Sequence, residues 1–330
     1  MKKIDEIIQE HYIHEDYELE KFIESFYENK EDVAKLKSIY KNQRINEDEK
    51  IVKKIDRVVL IGEMRFKSLR KVCNKLDYAD PTKLTYEIKD GQIKVDDGEY
   101  KFTLKESDKK GTIIFVRSGY KNPTIQFLLS QMMNMGFLVI NDPSFVNISN
   151  NKYLLAMLLK KNDIPQPKFV LVSHADINKE DDKPLQEKLK KLYNKIDDEC
   201  QILIQEFCDI DDGDIRVNVI TLNGKQEIFN VGMRTKGDND FRTNLSLGNT
   251  LKEDIKLTPE QKKIALDTAK ASGLIWCGVD LMPLKNGKTY VVEYNGSPGP
   301  KTDLNMSPED VEKANEVFYS KFLETINKMC

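Results

Sequence analysis

The sequence predicts an α/β protein, and three observations carry that prediction. Short apolar runs bounded by glycine or proline, as at residues 57–62, 111–117 and 137–140, alternate with helical patterns. Capping signals open two long helices, Thr258 with Gln261 and Ser307 with Asp310. Two apolar strands near the end of the chain flank Lys285-Asn286-Gly287-Lys288, an Asn-Gly hairpin turn. A length of 330 residues predicts about two domains with a sizeable core.

The segment up to about residue 55 reads as helical. Ile4, Ile7 and Ile8 fall on one stripe, and Leu19, Phe22, Ile23 and Phe26 continue one. His11 and His14 stand three apart, but no third ligand follows at a recognisable spacing, so a metal site is not expected there. Residues 57–62 form a buried strand, followed by a helical pattern through Leu69, Val72 and Leu76. Alternation from Tyr86 to Lys105, with Gly91 and Gly98, predicts short hairpins. A second buried strand covers 111–117. Asn122-Pro123-Thr124 opens a helix whose methionines, Met132 and Met133, are expected in the core. Residues 137–140 are a third strand, stopped by Asn141-Asp142-Pro143.

Asn151-Lys152 starts the next helix, and the strand 168–172 follows Ile164-Pro165-Gln166-Pro167. A charged helix is expected from about 183 to 196, then a strand over 201–207. Asp209-Ile210-Asp211-Asp212-Gly213 makes an acidic turn into the strand Asp214-Ile215-Arg216-Val217-Asn218-Val219-Ile220. Asn223-Gly224 turns it into a hairpin with residues 228–232. Arg216 lies beside Asp214 on an alternating strand, so a local ion pair between them is one reading. The helices at 258–272 and from Ser307 onward complete the chain.

The net charge of −3 leaves no electrostatic footprint for nucleic acid. Met1-Lys2-Lys3-Ile4-Asp5-Glu6 turns charged before an apolar run forms, so no signal peptide is expected. No stretch approaches 18 uninterrupted apolar residues, and no membrane contact is expected. Cys73, Cys200, Cys208, Cys277 and Cys330 show no C-x-x-C spacing, and reduced thiols in a cytoplasm are expected.

The C-terminal hairpin carries the chemistry. Its first strand holds Gly278-Val279-Asp280; its second is apolar until Glu293-Tyr294-Asn295-Gly296-Ser297-Pro298-Gly299. Side chains two apart on a strand share a face, so Glu293 and Asn295 point one way. With Asp280 in register, two carboxylates and an amide oxygen converge. Carboxylates ~4 Å apart repel by about 4 kcal/mol at an effective dielectric near 20, so a site that keeps both ionised needs a cation. Oxygen ligands suit Mg²⁺ or Mn²⁺.

These residues resemble the metal-binding end of ATP-grasp ligases, of the RimK-like and glutathione-synthetase-like type. Arg234-Thr235-Lys236 and Asp240-Phe241-Arg242-Thr243-Asn244 are similar to the RimK-type basic loop, and Ile202–Phe207 with Asp214-Ile215-Arg216 to the strand and hinge before it. The resemblance implies an ATP-grasp fold with a helical N-terminal extension (1–55), an α/β pre-ATP-grasp domain (56–147), a central lid (148–207) and a catalytic subdomain (208–330). It implies Asp280, Glu293 and Asn295 on Mg²⁺ or Mn²⁺. It also implies Lys152 and Arg234 toward nucleotide phosphate, Gln205, Glu206, Phe207 and Cys208 as the adenine hinge, and Arg216, Arg242 and Asn244 as catalytic. The implied activity is ATP-dependent amide formation between a carboxylate and an amine through an acyl phosphate. RimK-like members add amino acids such as glutamate to a protein or small acceptor. A homo-oligomer is left open.

One departure stands out. The family's lid has a lysine-ended strand and a glycine-rich loop, whereas no glycine lies between Ser173 and Cys200 here. The lid is therefore expected to be reduced, with Lys168 or a lysine of 183–195 in place of the missing one. A decayed frame serving as a nucleotide-binding, structural or interaction protein is the alternative, and a kinase a third reading.

Overall fold

The computed structural model describes residues 55–62, 68–172, 183–193, 202–235, 251–253, 255–299 and 306–330. The expected N-terminal helices, His11, His14, Arg242 and Asn244 lie outside the described residues. Two compact units emerge. The smaller includes Pro167–Cys208; the larger takes the described residues up to Gln166 and those from Asp209 on.

The larger unit begins with a parallel sheet. Strands β1 (Arg57–Ile61), β2 (Lys75–Ala79), β6 (Thr112–Val116) and β7 (Leu138–Ile140) run in the order β2-β1-β6-β7. A strand covered on both faces needs a continuous apolar run, and every residue of Thr112–Val116 is buried. The helix expected through Leu76 is shorter: α1 spans only Leu69–Val72, and Leu76 lies on β2, paired with Val58. Parallel pairing with β1 overrides the helical spacing there. Between β2 and β6, strands β3 (Thr85–Lys89), β4 (Gln92–Asp96) and β5 (Lys101–Lys105) form an antiparallel meander.

Helix α2 (Pro123–Asn134) starts at Asn122, whose side chain accepts from the Thr124 N–H, and buries Met132. A short helix α3 (Pro143–Asn150) follows β7, capped by Asp142. The Asn-Asp-Pro stop is thus also a start, because proline at the first helical position loses no hydrogen bond. Helix α4 (Lys152–Lys161) is capped by Asn151 through the N–H groups of Tyr153 and Leu154.

In the smaller unit, β8 (Phe169–Val172) pairs antiparallel with β9 (Ile202–Gln205), and helix α5 (Lys183–Tyr193) buries Leu189 with Val170 and Val172.

A second, antiparallel sheet completes the larger unit. Its order is β12-β11-β10-β13-β14, with β10 (Gly213–Leu222), β11 (Lys225–Thr235), β12 (Leu251–Glu253), β13 (Trp276–Pro283) and β14 (Thr289–Asn295). One face of this sheet joins Val59, Ile61, Ile114 and Val116 in a core with Ile215, Val217, Val279, Leu281 and Val291. Helix α6 (Pro259–Ser272) adds Ile264, Ala265 and Ala269 to it; its capping box of Thr258 and Gln261 forms as expected. The other face is divided. Its lower half, Ile220, Leu222 and Trp276, meets Phe318, Tyr319 and Phe322 of helix α7 (Pro308–Met329). Its upper half is polar. Among the described residues, no helix is long and apolar enough to cross a membrane.

Candidate active site

The polar half-face is fixed by strand register. Arg216 pairs with Asp280, Asp280 with Glu293, Gly278 with Asn295, and Asp214 with Arg234. Glu293 and Asn295 therefore share Asp280's side of the sheet, as the two-residue period requires. Simple alternation would also place Val291 there. A register shift beside Asp280 leaves Val292 without a cross-strand partner. That bulge returns Val291 to the core, where it is 1% exposed, while Glu293 stays opposite Asp280.

The side chains form one line of alternating charge. The Arg234 Nε–H donates to both oxygens of Asp214 at 2.8 Å, and its Nη2 donates to Asp214 Oδ2 and, at 2.8 Å, to Asp280 Oδ2. Arg216 donates through Nε and Nη2 to the two oxygens of Asp280. Its Nη2 also lies 4.0 Å from Glu293 Oε1. Lys152, at the start of α4, donates to Glu293 Oε2, and the Asn295 amide donates to Glu293 Oε1 at 3.3 Å. The order is Asp214, Arg234, Asp280, Arg216, Glu293, Lys152. Burial opposes the charge on Arg234, yet Asp280 and Asp214 outweigh it and hold its pKa above the ordinary arginine value.

Two expectations need correction. Asp214 and Arg216 share a face but do not pair; each finds its partner across a strand. The repulsion between Asp280 and Glu293 is relieved by the chain's own side chains. Three carboxylates meet three cations, so this cluster of described residues is electrically balanced. Among the described residues no three of His, Cys, Asp or Glu are grouped to hold a metal; the expected set has only two carboxylates beside its amide.

Sequence reasoning passed over three further residues. Asp214 was read only as a neighbour of Arg216. Arg117, just past β6, donates to the Pro298 carbonyl, with its guanidinium carbon 5.3 Å from the Trp276 ring centre and 5.6 Å from that of Phe115. Asn141, just past β7, donates to the carbonyls of Trp276 at 2.7 Å and Gly296 at 2.6 Å, and accepts from the Trp276 N–H at 2.9 Å. Together they hold the turn that follows Asn295. The available signal was position, since both residues follow the carboxyl ends of parallel strands, where ligand sites gather. Gly278 completes the arrangement, because a Cβ there would lie 2.7 Å from the Pro298 Cβ.

Gln205, Glu206, Phe207 and Cys208, expected as the adenine hinge, belong to the smaller unit. The Glu206 N–H donates to the Lys168 carbonyl at 2.8 Å, and the Lys168 N–H to the Glu206 carboxylate at 3.2 Å. Phe207 is 72% exposed. Burial, then Glu206, pushes the Cys208 thiol up to about 11.

A family model described as the RimK-like ATP-grasp domain matches residues 183–314. A probable alpha-L-glutamate ligase of Vibrio atlanticus is 40% identical over 99 residues, which are 30% of this chain and 31% of that protein. A probable alpha-L-glutamate ligase of Coxiella burnetii is 40% identical over 111 residues, 33% of this chain and 35% of its own. The chain thus spans about a third of the length of these curated relatives. The tetrahydromethanopterin:alpha-L-glutamate ligase of Methanocaldococcus jannaschii is 27% identical over 227 residues, 60% of this chain and 74% of that one. Among solved structures, the ATP-grasp ligase PsnB in complex with a phosphomimetic variant of a minimal precursor, Mg and ADP is similar with a TM-score of 0.55 at 16% identity. That match covers 82% of this chain and 98% of PsnB. D-alanyl-alanine synthetase A of Vibrio cholerae gives 0.53 at 12% identity, covering 84% and 98%. These likenesses show the ATP-grasp fold.

Proposed function

We propose that this chain is a member of the RimK-like ATP-grasp superfamily and an ATP- and Mg²⁺-dependent ligase that joins a carboxylate to an amine. The observation that carries the reading is the cross-strand convergence of Asp280, Glu293 and Asn295 beside Arg216 and Lys152. The relatives' names support glutamate as the amine. A protein or small molecule is the acceptor in this reading, and the cytoplasm its place.

The residues fit a hard divalent cation by type. Glu293, Asn295 and Asp280 offer oxygen only, and the Glu293 side chain is 31% exposed. The charge balance adds a condition. A bare divalent ion would leave this cluster with two surplus positive charges beside two guanidinium groups. Phosphate oxygens arriving with the metal would remove that surplus by taking Lys152 and Arg216 as partners. The site therefore suits a metal–polyphosphate and suits a bare metal poorly. Bound Mg²⁺ supplies Lewis acidity and a template for the phosphates.

In the reaction, a substrate carboxylate oxygen attacks the γ-phosphorus and ADP leaves, giving an acyl phosphate. The amine nitrogen then attacks the acyl carbon, inorganic phosphate leaves and the nitrogen loses a proton. Arg216 and Lys152 counter charge on the transferring group, since phosphoryl transfer depends mainly on positioning and charge stabilisation. Arg242 and Asn244 join them by resemblance, as the hinge Gln205, Glu206, Phe207 and Cys208 joins for adenine. Arg234, engaged by Asp214 and Asp280, acts as charge balance in this reading.

Phosphate release that requires ATP, Mg²⁺, an acceptor and glutamate together tests the ligase. ADP formation with the phosphate transferred to an acceptor hydroxyl, no amine required and no inorganic phosphate released, would mark a kinase. The glycine-free 173–200 segment favours one further reading, a binding protein on this frame. A melting temperature unmoved by Mg–ATP, with or without EDTA, would leave only a non-nucleotide form of it.

A further inference from the structure

Asp214 belongs to neither the proposed metal set nor the reacting groups, yet it is 3% exposed and heads the line of charges. We propose that Asp214 is a positioning residue for the metal site: by taking most of Arg234's hydrogen bonds it keeps the second guanidinium that touches Asp280 from resting its whole charge there. This rests on the ligase reading above.

Arg234 makes three of its hydrogen bonds to Asp214 and one to Asp280, while Arg216 makes two to Asp280. Guanidinium does not deprotonate in proteins. Without the Asp214 charge, Asp280 would be the one carboxylate left, among those recorded bonds, to compensate Arg234. Asp280, which already touches both guanidinium groups, would then carry Arg234's charge as well as that of Arg216, and a divalent ion would approach a carboxylate already fully compensated. The backbone gives the Asp214–Arg234 pair no slack. The two residues are direct cross-strand partners, and a Cβ on Gly213 would lie 1.9 Å from the Arg234 carbonyl oxygen. Only glycine allows the strands this close, and that closeness sets the two side chains face to face.

The sequence order gives the arrangement an economy of parts. Asp214 and Arg216 sit on β10 two residues apart, on one face. Arg216 turns toward Asp280 on β13, and Asp214 turns toward Arg234 on β11. The central strand thus contributes one charge of each sign, and Asp280 receives one guanidinium from its own neighbour and a shared one from beyond.

The test uses Mn²⁺ as the probe, with a non-hydrolysable ATP analogue present at saturation. Free Mn²⁺ is read by electron paramagnetic resonance in the full-length protein. The expected result is that Asp214→Asn weakens Mn²⁺ binding about tenfold, the scale of one hydrogen bond to a charged group. The double variant D214N/R234M should return to within about threefold of the unsubstituted protein, because it removes the surplus cation together with its partner. The discriminating readout is Mn²⁺ affinity measured at equal melting temperature, which a purely structural role for Asp214 would leave unchanged. Equal binding by Asp214→Asn overturns the proposal, as does a double variant as weak as the single one. If Asp214→Asn fails to fold, the double variant decides: Mn²⁺ binding near the unsubstituted level supports the proposal, and a tenfold loss overturns it. Should the unsubstituted protein itself bind no Mn²⁺ with the analogue, the ligase reading fails and takes this proposal with it.

Discussion

Trp276 and Asp280 stand on the same face of β13, both 1% exposed, and are buried by opposite means. Around Trp276 the means is shape. Phe115 stacks on it with ring centres 5.5 Å apart, and Phe322 lies at 4.7 Å and Phe318 at 5.8 Å. Dispersion and apolar burial are non-directional, so this half of the face depends on volume more than on any single contact. Around Asp280 the means is charge compensation from Arg216 and Arg234. Desolvated ions need their partners in place, and removing one leaves the others exposed to a low-dielectric surround. Asn218 sits between the halves, accepting from the Trp276 indole N–H at 3.2 Å and donating to Asn230 at 3.1 Å. One strand face therefore carries a packing region that tolerates swaps of similar volume and an ionic region in which each charge depends on its partners.

The largest effect should come from Asp280→Asn. It strands two buried guanidinium groups and should cost about 3–5 kcal/mol in chemical denaturation, with loss of the proposed ligase's phosphate release. A variant as stable as the parent would break the contrast. Trp276→Ala should cost a similar 3–5 kcal/mol or so by leaving a cavity, while Trp276→Phe should retain phosphate release. Gly278→Ala pushes Pro298 away from β13. About 1–3 kcal/mol of stability should be lost, measured by the same denaturation.

Lys152→Met sharpens the contrast at its exposed end. The side chain is 54% exposed, so the pair with Glu293 should contribute under about 1 kcal/mol to stability, read by denaturation. Nucleotide affinity should nonetheless fall about tenfold by calorimetry, because a phosphate partner is lost. The smallest effect concerns Cys277, whose thiol burial above all pushes up from 9.0 to about 12. The folded state keeps this thiol protonated while the unfolded state ionises it, so its contribution is intact below pH 9 and is lost as pH rises toward about 12. Cys277→Ala should flatten the alkaline fall in stability relative to the parent over that window.

Much of the frame was legible because its signals are local. The caps at Asn122, Asn151, Thr258 and Ser307, the Asn223-Gly224 and Asn286-Gly287 turns, and the apolar run Ile113–Val116 of β6 each need only a few neighbouring residues. What was not legible depends on pairing. Leu76 fits a helical stripe until β1 offers it a strand partner. The bulge at Val292 leaves no mark in an apolar run. Asp214 and Arg234 are 20 residues apart, and their bond follows from the β10–β11 register, which no composition reveals. The convergence of Asp280 with Glu293 was anticipated; the presence of side-chain cations between them was not. Arg117 and Asn141 reach the site from another sheet altogether.

The position of β14 has a consequence for self-association. Among the described strands it is outermost in its sheet, a border that could recruit a strand from another molecule. The Val291 N–H on β14 donates to the Pro165 carbonyl at 2.8 Å, in the turn before β8, and the register shift interrupts regular pairing beside it. A proline-rich connector thus takes one hydrogen-bonding position that an added strand would need, on the same strand that presents Glu293 and Asn295.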